Sequence, residues 1–249
     1  MQHKTAILIP AFNEAGRITA VVESIHAAGV GAPLVVVDDG SSDETAEEAR
    51  AAGAIVLSHP HNLGYGAALH TGYCYAQRHG FDRIVQMDAD GQHDPCSIGD
   101  LLAALDDGVD VALGSRFLAG TPPPTSWIRR FGTWLFAKIV SVWTRTQVTD
   151  PTSGFQALSK RALDELTHDG FPEDYPDADV LISVYRSGLR MREVPVVMHP
   201  RLSGMSMHRG GRAAYYGYKM FLTLALLPIR RRTPFRHPDS VADKPQHAA

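Results

Sequence analysis

The first half of the chain alternates short apolar runs with amphipathic segments, and this alternation limits the fold more than any other feature of the sequence. The apolar runs are rich in Val, Ile and Leu, as strands buried on both faces are. They cover residues 5–10, 33–39, 54–58, 83–88 and 110–115. Helical patterns lie between them, at roughly residues 14–28, 43–52, 65–79 and 95–107. Repeated strand–helix–strand units predict a mostly parallel α/β sheet flanked by helices.

The second half has a more mixed pattern. Residues 126–143 predict one long helix with a periodic apolar face, and residues 150–158 predict a turn followed by a short strand. Two further helices are expected near residues 159–168 and 177–187, before an extended run at residues 191–200.

Composition excludes several classes of protein. With 249 residues, of which 44% are hydrophobic, the chain can bury a core without disulfides. We therefore expect Cys74 and Cys96 to be reduced thiols of a cytosolic protein. The net charge of -3 argues against a nucleic-acid-binding protein, which would usually be basic. Residues 1–14 lead directly into the first strand pattern, so we expect no signal peptide.

The side chains best suited to chemistry follow directly after the predicted strands. In strand order they are residues 10–14, 38–39, 62–66, 88–92 and 115–116. The carboxyl ends of parallel strands meet at one edge of a sheet, and ligands of such sheets bind there. The placement therefore predicts a single cleft.

Asp88 and Asp90 follow the fourth predicted strand, and Gln92 comes shortly after them. Two carboxylates and an amide oxygen at this spacing can converge on Mg²⁺ or Mn²⁺, which fill their shells with substrate phosphate and water. The alternative is a solvated turn, since Asp and Gly are common in turns. The Asp38–Asp39 pair at the end of a second strand favours the metal site.

The second strand ends in carboxylates that can accept hydrogen bonds from a nucleobase or from ribose hydroxyls. Asp43 and Ser41 are expected to cap the helix that follows, with Ser41 and Glu44 forming a capping box. The histidines show no metal-site spacing, and we expect His59 and His61 to be surface residues.

Gly64 and Gly66 follow the third strand and would let the backbone approach a diphosphate closely. Leu69 occupies the position where a dinucleotide-binding fingerprint has its third glycine, and the stretch does not follow the first strand. The fingerprint is therefore absent here.

Six ordered segments together resemble the family 2 glycosyltransferases of the GT-A fold. They are IPAFNE, VVVDDGSSDET, NLGYGAAL, MDADGQH, GSR and DPTSGFQAL, within about residues 4–208. Gln92 after the two aspartates, with the DPTSGF segment, is similar to the dolichyl- and polyprenyl-phosphate hexosyltransferases, of which dolichol-phosphate mannose synthase is typical. We therefore expect a GT-A catalytic domain at residues 1–208, an amphipathic membrane-associating helix at residues 209–232 and a disordered tail at residues 233–249.

The resemblance also implies roles for individual residues on the donor side. Pro10, Ala11 and Glu14, with Asp39, would hold the nucleoside, and Asp38 would support that loop. Asn62, Gly64 and Gly66 are expected at the diphosphate. Asp88, Asp90 and Gln92 would be the metal ligands, and Asp90 would thereby act in catalysis.

On the acceptor side, the resemblance implies that Arg116 and one of Arg129 or Arg130 face a phosphate. Arg129 is favoured because Thr133 follows it at the spacing at which the family commonly has a serine. Arg201 and Ser206 resemble a flexible loop that closes over the donor. The next residue is Met207, where the family often has a lysine, so closure would rest on His208 or Arg209 instead.

The implied reaction is inverting transfer of a hexose from GDP-mannose or a UDP-hexose to a polyprenyl phosphate. Such an acceptor is mostly dianionic near neutral pH, because its second pKa is about 6, and needs positioning arginines but no general base. An acceptor hydroxyl, the leading alternative, would need a carboxylate base. A nucleotidyltransferase would carry a glycine-rich basic loop after the first strand, and residues 9–17 are poor in both. A non-catalytic binding module is disfavoured because it would have no use for the metal ligands.

The last part of the chain predicts attachment to a membrane surface. Residues 213–229 are mostly apolar, but the uninterrupted apolar stretch at residues 220–227 is too short to span a bilayer. Residues 230–232 are all arginine, which suits an interfacial helix beside anionic headgroups. We expect peripheral attachment at the cytoplasmic face, with residues 126–143 in the same plane and a possible small membrane-protein partner. The alternative is that both helices pack on the catalytic core.

Overall fold

The computed structural model describes residues 3–118, 120, 127–167 and 178–199. The strands are β1 (Thr5–Ala11), β2 (Leu34–Asp38), β3 (Ile55–Ser58), β4 (Arg83–Gln86), β5 (Val111–Ser115), β6 (Gln156–Ser159) and β7 (Met191–Pro195). The helices are α1 (Ile18–Ala27), α2 (Thr45–Ala51), α3 (Tyr65–Arg78), α4 (Ile98–Asp106), α5 (Trp127–Thr144), α6 (Lys160–Leu166) and α7 (Ala178–Arg186). The five strands and the helices expected from the sequence pattern are present, with ends displaced by a few residues.

The strands form one sheet in the order β3-β2-β1-β4-β6-β5-β7. The pairs β1–β2, β1–β4, β2–β3 and β5–β7 are parallel. Strand β6 runs antiparallel between β4 and β5. The prediction of a mostly parallel sheet flanked by helices is therefore confirmed.

The reversed direction of β6 places the turn before it at the edge of the sheet where the cleft is predicted. Gln156 at the start of β6 pairs with Gln86 at the end of β4 and with Leu113 near the end of β5. The turn that precedes β6, at residues 150–155, therefore lies at the same edge as the carboxyl ends of the parallel strands.

Two hydrophobic layers cover the two faces of the sheet. On one face, α1, α2 and α4 pack against alternate side chains of the central strands, including Ile7, Val36 and Val85. On the other, α3, α6 and α7 cover the intervening side chains, including Leu8 and Val35. This alternation is the period of a strand buried on both faces.

Some local expectations are wrong. Strand β3 is an edge strand and is not buried on both faces, and Ile55 is 39% exposed. Ser41 does not form a capping box, because α2 begins at Thr45 and the residue before it makes no side-chain cap. Asp94 does cap the short 3-10 turn before α4, as its carboxylate accepts from the amide of Cys96. Cys74 and Cys96 are free thiols, as expected.

Helix α5 confirms the helix predicted at residues 126–143. Its buried face, with Val140, packs against Leu181 and Ile182 of α7. Its other face exposes Trp134 and Val142, which are 55% and 76% exposed. Within the described ranges, no helix combines the length and the apolar character needed to cross a bilayer.

Candidate active site

The loop between β1 and α1 is held in one conformation by side chains of the segment after β2. The amide of Asn13 donates to Ser41 Oγ at 2.9 Å, and the amide of Glu14 donates to Thr45 Oγ1 at 2.8 Å. The amides of Ala15 and Gly16 donate to the carboxylates of Asp43 and Glu48 at 3.2 and 2.7 Å. Four successive amides are thus satisfied by side chains, as buried or constrained backbone groups require.

Asn13 completes this arrangement from the loop itself. Its φ of 54° lies in the left-handed region, which Asn tolerates better than most residues. Its side-chain oxygen accepts from the amide of Ser42 at 2.9 Å. The loop beside Pro10 and Ala11, which the resemblance places at the nucleoside, is therefore hydrogen-bonded without a ligand.

Asp38 and Asp39 have different surroundings although they are adjacent. Asp38 Oδ1 accepts from the amide of Ser41 at 3.1 Å, within the segment that follows β2. Asp39 is 3% exposed, and its two oxygens accept from the amides of Leu63 and Gly64, both at 2.9 Å. Its predicted contact with the nucleoside stays a prediction, and its present partners lie in the loop after β3.

His59 is not the surface residue that the sequence predicted. Its side chain is 10% exposed, with Nδ1 2.7 Å from Asp39 Oδ1 and Nε2 2.9 Å from Thr71 Oγ1. The burial follows from Thr71 of α3, which lies over the end of β3. His61, by contrast, is exposed as expected. Its backbone lies so close to Gly40 that a Cβ there would come within 2.4 Å, which requires glycine at that position.

Asp88 lies just past β4, surrounded by groups from three other parts of the chain. Tyr65 donates its hydroxyl to Asp88 Oδ1 at 3.0 Å, and His93 Nε2 lies 3.6 Å from Oδ2. His93 Nδ1 accepts from the amide of Asp88 at 3.1 Å, so the ring proton is on Nε2 in the neutral tautomer. A Cβ on Gly154 would lie 2.7 Å from both carboxylate oxygens, so any larger residue there would displace the Asp88 carboxylate.

The other two predicted metal ligands are in the same turn. Asp90 Oδ1 accepts from the amide of Gln92 at 3.0 Å, and Gln92 Nε2 lies 3.4 Å from the carbonyl oxygen of His199. The amide oxygen of Gln92 thus remains a possible ligand. Among the residues with described positions, no group of three or more His, Cys, Asp and Glu side chains forms a metal site. Two carboxylates and one amide oxygen fit Mg²⁺ or Mn²⁺, since such ions take their remaining ligands from diphosphate and water.

Arg116 follows β5 and forms a bidentate ion pair. Its Nε and Nη2 atoms donate to the two carboxylate oxygens of Asp150 at 2.6 and 3.1 Å. Burial disfavours the charge on Arg116, but the hydrogen bonds and charge of Asp150 outweigh that effect and raise its pKa. The charges of Asp88 and Asp90 add to this increase, so the pair lies near the predicted metal ligands.

Glu193 of β7 holds the backbone that carries Asp150. Its Oε1 accepts from the amides of Thr149 and Asp150 at 2.7 and 2.8 Å, and its Oε2 accepts from Thr149 Oγ1 at 2.7 Å. Burial raises the pKa of Glu193, although these hydrogen bonds oppose the increase. Ser115 Oγ lies 2.7 Å from Thr149 Oγ1 and closes the network toward β5.

The remaining predicted site residues divide by position. Asn62 is exposed and Gly66 is buried in the first turn of α3, at the predicted diphosphate edge. Arg129 and Arg130 belong to the first turns of α5, where the side chains are outside what is described, and Thr133 is half-buried. Arg201, Ser206 and residues 209–249 lie outside the described residues.

Sequence reasoning missed several residues that shape the site, namely Tyr65, His93, Asp150, Gly154 and Glu193. The first four lie in or next to the six segments that resemble the glycosyltransferase family, so their position in those segments could have identified them. Glu193 had no such signal, because only the sheet order brings β7 beside β5 and the turn that precedes β6.

Comparison with known proteins gives a family match and related enzymes. Residues 6–167 match the family described as glycosyl transferase family 2. The polyprenol monophosphomannose synthase of Mycolicibacterium smegmatis is 30% identical over 220 residues, which are 83% of this chain and 82% of that protein. The UDP-N-acetylglucosamine–dolichyl-phosphate N-acetylglucosaminyltransferase of Methanococcus voltae is 29% identical over 246 residues, 90% of this chain and 95% of that protein.

The fold is also similar to that of a solved structure. Glucosyl-3-phosphoglycerate synthase from Mycobacterium tuberculosis, in complex with Mn²⁺ and UDP-glucose, superposes with a TM-score of 0.69. The superposition covers 93% of this chain and 81% of that one, at 23% sequence identity. This likeness establishes the common fold of the two proteins.

Proposed function

The chain belongs to glycosyl transferase family 2, and we propose that it transfers a hexose from a nucleotide-diphosphate sugar to a polyprenyl phosphate with inversion. The observation that carries this proposal is that the turn at residues 150–155 holds the Asp150 partner of Arg116 and also places Gly154 directly against the Asp88 carboxylate. One side of the cleft suits a cation with its diphosphate, and the other suits a phosphate. The two related enzymes act, by their names, on polyprenol or dolichyl phosphate, which supports the same acceptor class here.

The donor is assigned to the ends of β1, β2 and β4. Pro10 and Ala11 at the end of β1 and Glu14 in the next loop would contact the nucleoside. Asp38 accepts from the amide of Ser41, whose hydroxyl in turn accepts from the amide of Asn13 in that loop. Asn62, Gly64 and Gly66 would approach the diphosphate. Binding then loses little conformational entropy, because the loop has few conformations left to lose.

Asp88, Asp90 and Gln92 would hold Mg²⁺ or Mn²⁺. A divalent ion bound there would neutralise the charge that develops on the departing nucleoside diphosphate. The chain's own contribution is to place two carboxylates, Asp88 and Asp90, in the same turn after β4. Tyr65 donates its hydroxyl to one oxygen of Asp88, and His93 Nε2 lies 3.6 Å from the other.

The acceptor is assigned to Arg116, with Arg129 favoured over Arg130 as its second cation and Thr133 nearby. A phosphate dianion needs no general base, only cations that hold it in line with the donor against like-charge repulsion. A hydroxyl acceptor would need a base, and Asp150 is poorly suited because it is fully buried and paired bidentately with Arg116. This pairing favours the phosphate acceptor over a saccharide or small-molecule hydroxyl.

We assign the protein to the cytoplasmic face of a membrane, attached peripherally. The exposed face of α5 carries Trp134 and Val142 together with Lys138, all of them exposed. Apolar and cationic side chains on one helix face suit the boundary between acyl chains and anionic headgroups. Residues 209–232 would add a second amphipathic segment, and a small membrane protein is a possible further partner.

Product analysis tests this function. Radiolabelled GDP-mannose, UDP-glucose and UDP-N-acetylglucosamine are each incubated with the protein and Mn²⁺, with undecaprenyl phosphate, dolichyl phosphate, phosphoglyceric acid or no acceptor. We expect label in a lipid product for at least one donor, and only when a lipid phosphate is present. If label is transferred only to phosphoglyceric acid, the acceptor is a hydroxyl group and the proposed lipid-phosphate acceptor is wrong.

A further inference from the structure

The segment Leu63–Tyr65 connects two carboxylates that belong to different halves of the donor site. Its first two amides donate to Asp39 at the end of β2, and its last residue donates a hydroxyl to Asp88 beyond β4. Because β1 lies between β2 and β4 in the sheet, the segment passes over the end of β1. It therefore joins the side assigned to the nucleoside to the side assigned to the cation.

The hydroxyl of Tyr65 is oriented by a buried chain of hydrogen bonds. Tyr73 donates to Gln86 Oε1 at 2.5 Å, and Gln86 Nε2 donates to the Tyr65 oxygen at 3.1 Å. A side-chain amide oxygen can only accept, so Tyr73 must be the donor, which fixes the direction of the whole chain. With the Tyr65 oxygen already accepting from Gln86, its own proton is directed to Asp88 Oδ1.

The surroundings keep this direction fixed. Gln86 and Tyr73 are 2% and 3% exposed, so their polar groups have no water to bond with instead. Burial also raises the pKa of the Tyr73 hydroxyl, which keeps it protonated as the first donor. His93 approaches the other oxygen of Asp88, and Gly154 leaves room for the carboxylate in this position.

We propose that Tyr65 is a positioning residue that orients Asp88 for the divalent cation and couples cation binding to nucleotide binding through the segment Leu63–Tyr65. The inference rests on the proposed function, because it requires the cation site at Asp88. Contact with the nucleotide acts on the loop that Asp39 holds, and the same loop carries the hydroxyl that fixes Asp88. Groups that hydrogen-bond to a metal ligand typically change metal affinity by about 10–100-fold when they are removed.

The test uses the full-length protein and isothermal titration calorimetry. GDP and UDP are titrated into wild-type protein and into Tyr65→Phe, once with Mn²⁺ and once with EDTA. The measured quantity is the factor by which Mn²⁺ tightens nucleotide binding. We expect this factor to fall about tenfold in Tyr65→Phe, while affinity in EDTA stays unchanged.

Two variants on the same helix control for the chemical change. Tyr75→Phe removes the same atom from a ring that stacks on His79 with centroids 3.9 Å apart, and it should leave the factor unchanged. Tyr73→Phe removes the first donor of the chain, and it should lower the factor less than Tyr65→Phe does.

The outcomes separate the inference from the function on which it rests. If Mn²⁺ does not tighten nucleotide binding to the wild type, the cation site itself is wrong, and the inference fails with it. If Mn²⁺ tightens binding equally in wild type and Tyr65→Phe, the positioning role alone is overturned. A loss of affinity in EDTA as large as that in Mn²⁺ would make Tyr65 a general support of the loop, which also overturns the proposal.

Discussion

The proposed donor and acceptor sides of the cleft are built in different ways. The donor side, at the ends of β1, β2 and β4, consists of short loops whose amides bond to side chains nearby, as in residues 13–16. The acceptor side consists of an ion pair, Arg116–Asp150, and the backbone amide of Asp150 donates to Glu193 of β7. The donor side is mainly anionic, while the acceptor side has a cation that is already paired.

This difference indicates which side should tolerate change. On the donor side, several carboxylates are each held by more than one donor, and the loss of one contact leaves others in place. On the acceptor side, residues from β5, β7 and the turn before β6 depend on a single network. We therefore expect donor-side substitutions to act on binding of nucleotide and cation, and acceptor-side substitutions to act on turnover with the acceptor.

The largest effect is expected at the cation ligands. Asp88→Asn or Asp90→Asn removes one of two anionic ligands, so that turnover should fall about a thousandfold, since several kcal/mol of charge stabilisation are lost. EDTA should abolish wild-type turnover, and Mn²⁺ or Mg²⁺ should restore it. Initial rates of transfer from the radiolabelled donor measure both effects.

Asp100→Asn is the matched control, because it removes the same charge from an exposed position on α4. It should leave turnover unchanged. Full activity of the wild type in excess chelator would show that the donor side needs no cation. The main contrast between the two sides would then be wrong.

The second effect concerns Asp39, which should act on nucleotide binding alone. Asp39→Ala should weaken binding of GDP or UDP by roughly 1.5–3 kcal/mol, the range for hydrogen bonds to charged groups. The loss should be present in EDTA and larger in Mn²⁺, because Asp39 also holds the segment Leu63–Tyr65 that orients Asp88. Calorimetry gives the affinities, and liposome flotation should be the same as for wild type. Unchanged nucleotide affinity would make Asp39 a purely structural residue.

A smaller effect is expected at Glu193 on the acceptor side. Glu193→Ala should lower turnover about tenfold, below the roughly hundredfold that a misplacement of about 1 Å can cost. Glu193→Gln keeps an oxygen for the amides of Thr149 and Asp150, so it should recover most of the activity. Steady-state kinetics should show the change in turnover with the acceptor, while nucleotide affinity stays constant. Equal loss in both variants would mean that the charge of Glu193, and not its position, matters.

The same residue makes a prediction about pH. Burial raises the pKa of Glu193 in the folded protein, so the folded state binds a proton more tightly than the unfolded state. The stability of the wild type relative to Glu193→Gln should therefore increase as the pH falls through the raised pKa. The gain is complete below the unfolded pKa of about 4.3 and is lost as the pH rises. Urea denaturation of both proteins across this range measures the difference.

The contrast between the two sides also explains what the sequence could predict. The strands of the donor side have local apolar patterns, and their functional carboxylates follow at fixed positions, so Asp38, Asp88 and Asp90 were placed correctly at one edge. The antiparallel insertion of β6 cannot be predicted from local sequence. The strand has only four residues, and their pattern does not specify which strands they pair with. Glu193 depends on that pairing and could not be found.

The wrong prediction that His59 is a surface residue has a similar cause. It follows an edge strand and is surrounded by polar and exposed residues, so its pattern is that of a surface loop. Its burial results from two distant partners, Asp39 and Thr71, which the fold brings together. Local pattern therefore predicts which residues lie at a strand end, while tertiary contacts decide which of them are enclosed.

The smallest effect is expected on the outer face of α5, where the acceptor side would meet the membrane. Trp134→Ser with Val142→Ser removes two exposed apolar side chains, and flotation with anionic liposomes should fall roughly threefold, a change of about 0.7 kcal/mol. Ile55→Ser is the matched control, since Ile55 is also exposed but lies on β3 at the opposite edge of the sheet. Replacing Arg230, Arg231 and Arg232 with Ala should also reduce flotation, and more strongly at low salt, because headgroup attraction is screened by ions. A face that serves only packing would predict equal flotation of wild type, the α5 variant and the control. That result would leave the lipid acceptor without a surface to approach from, and the hydroxyl acceptor would become the better assignment.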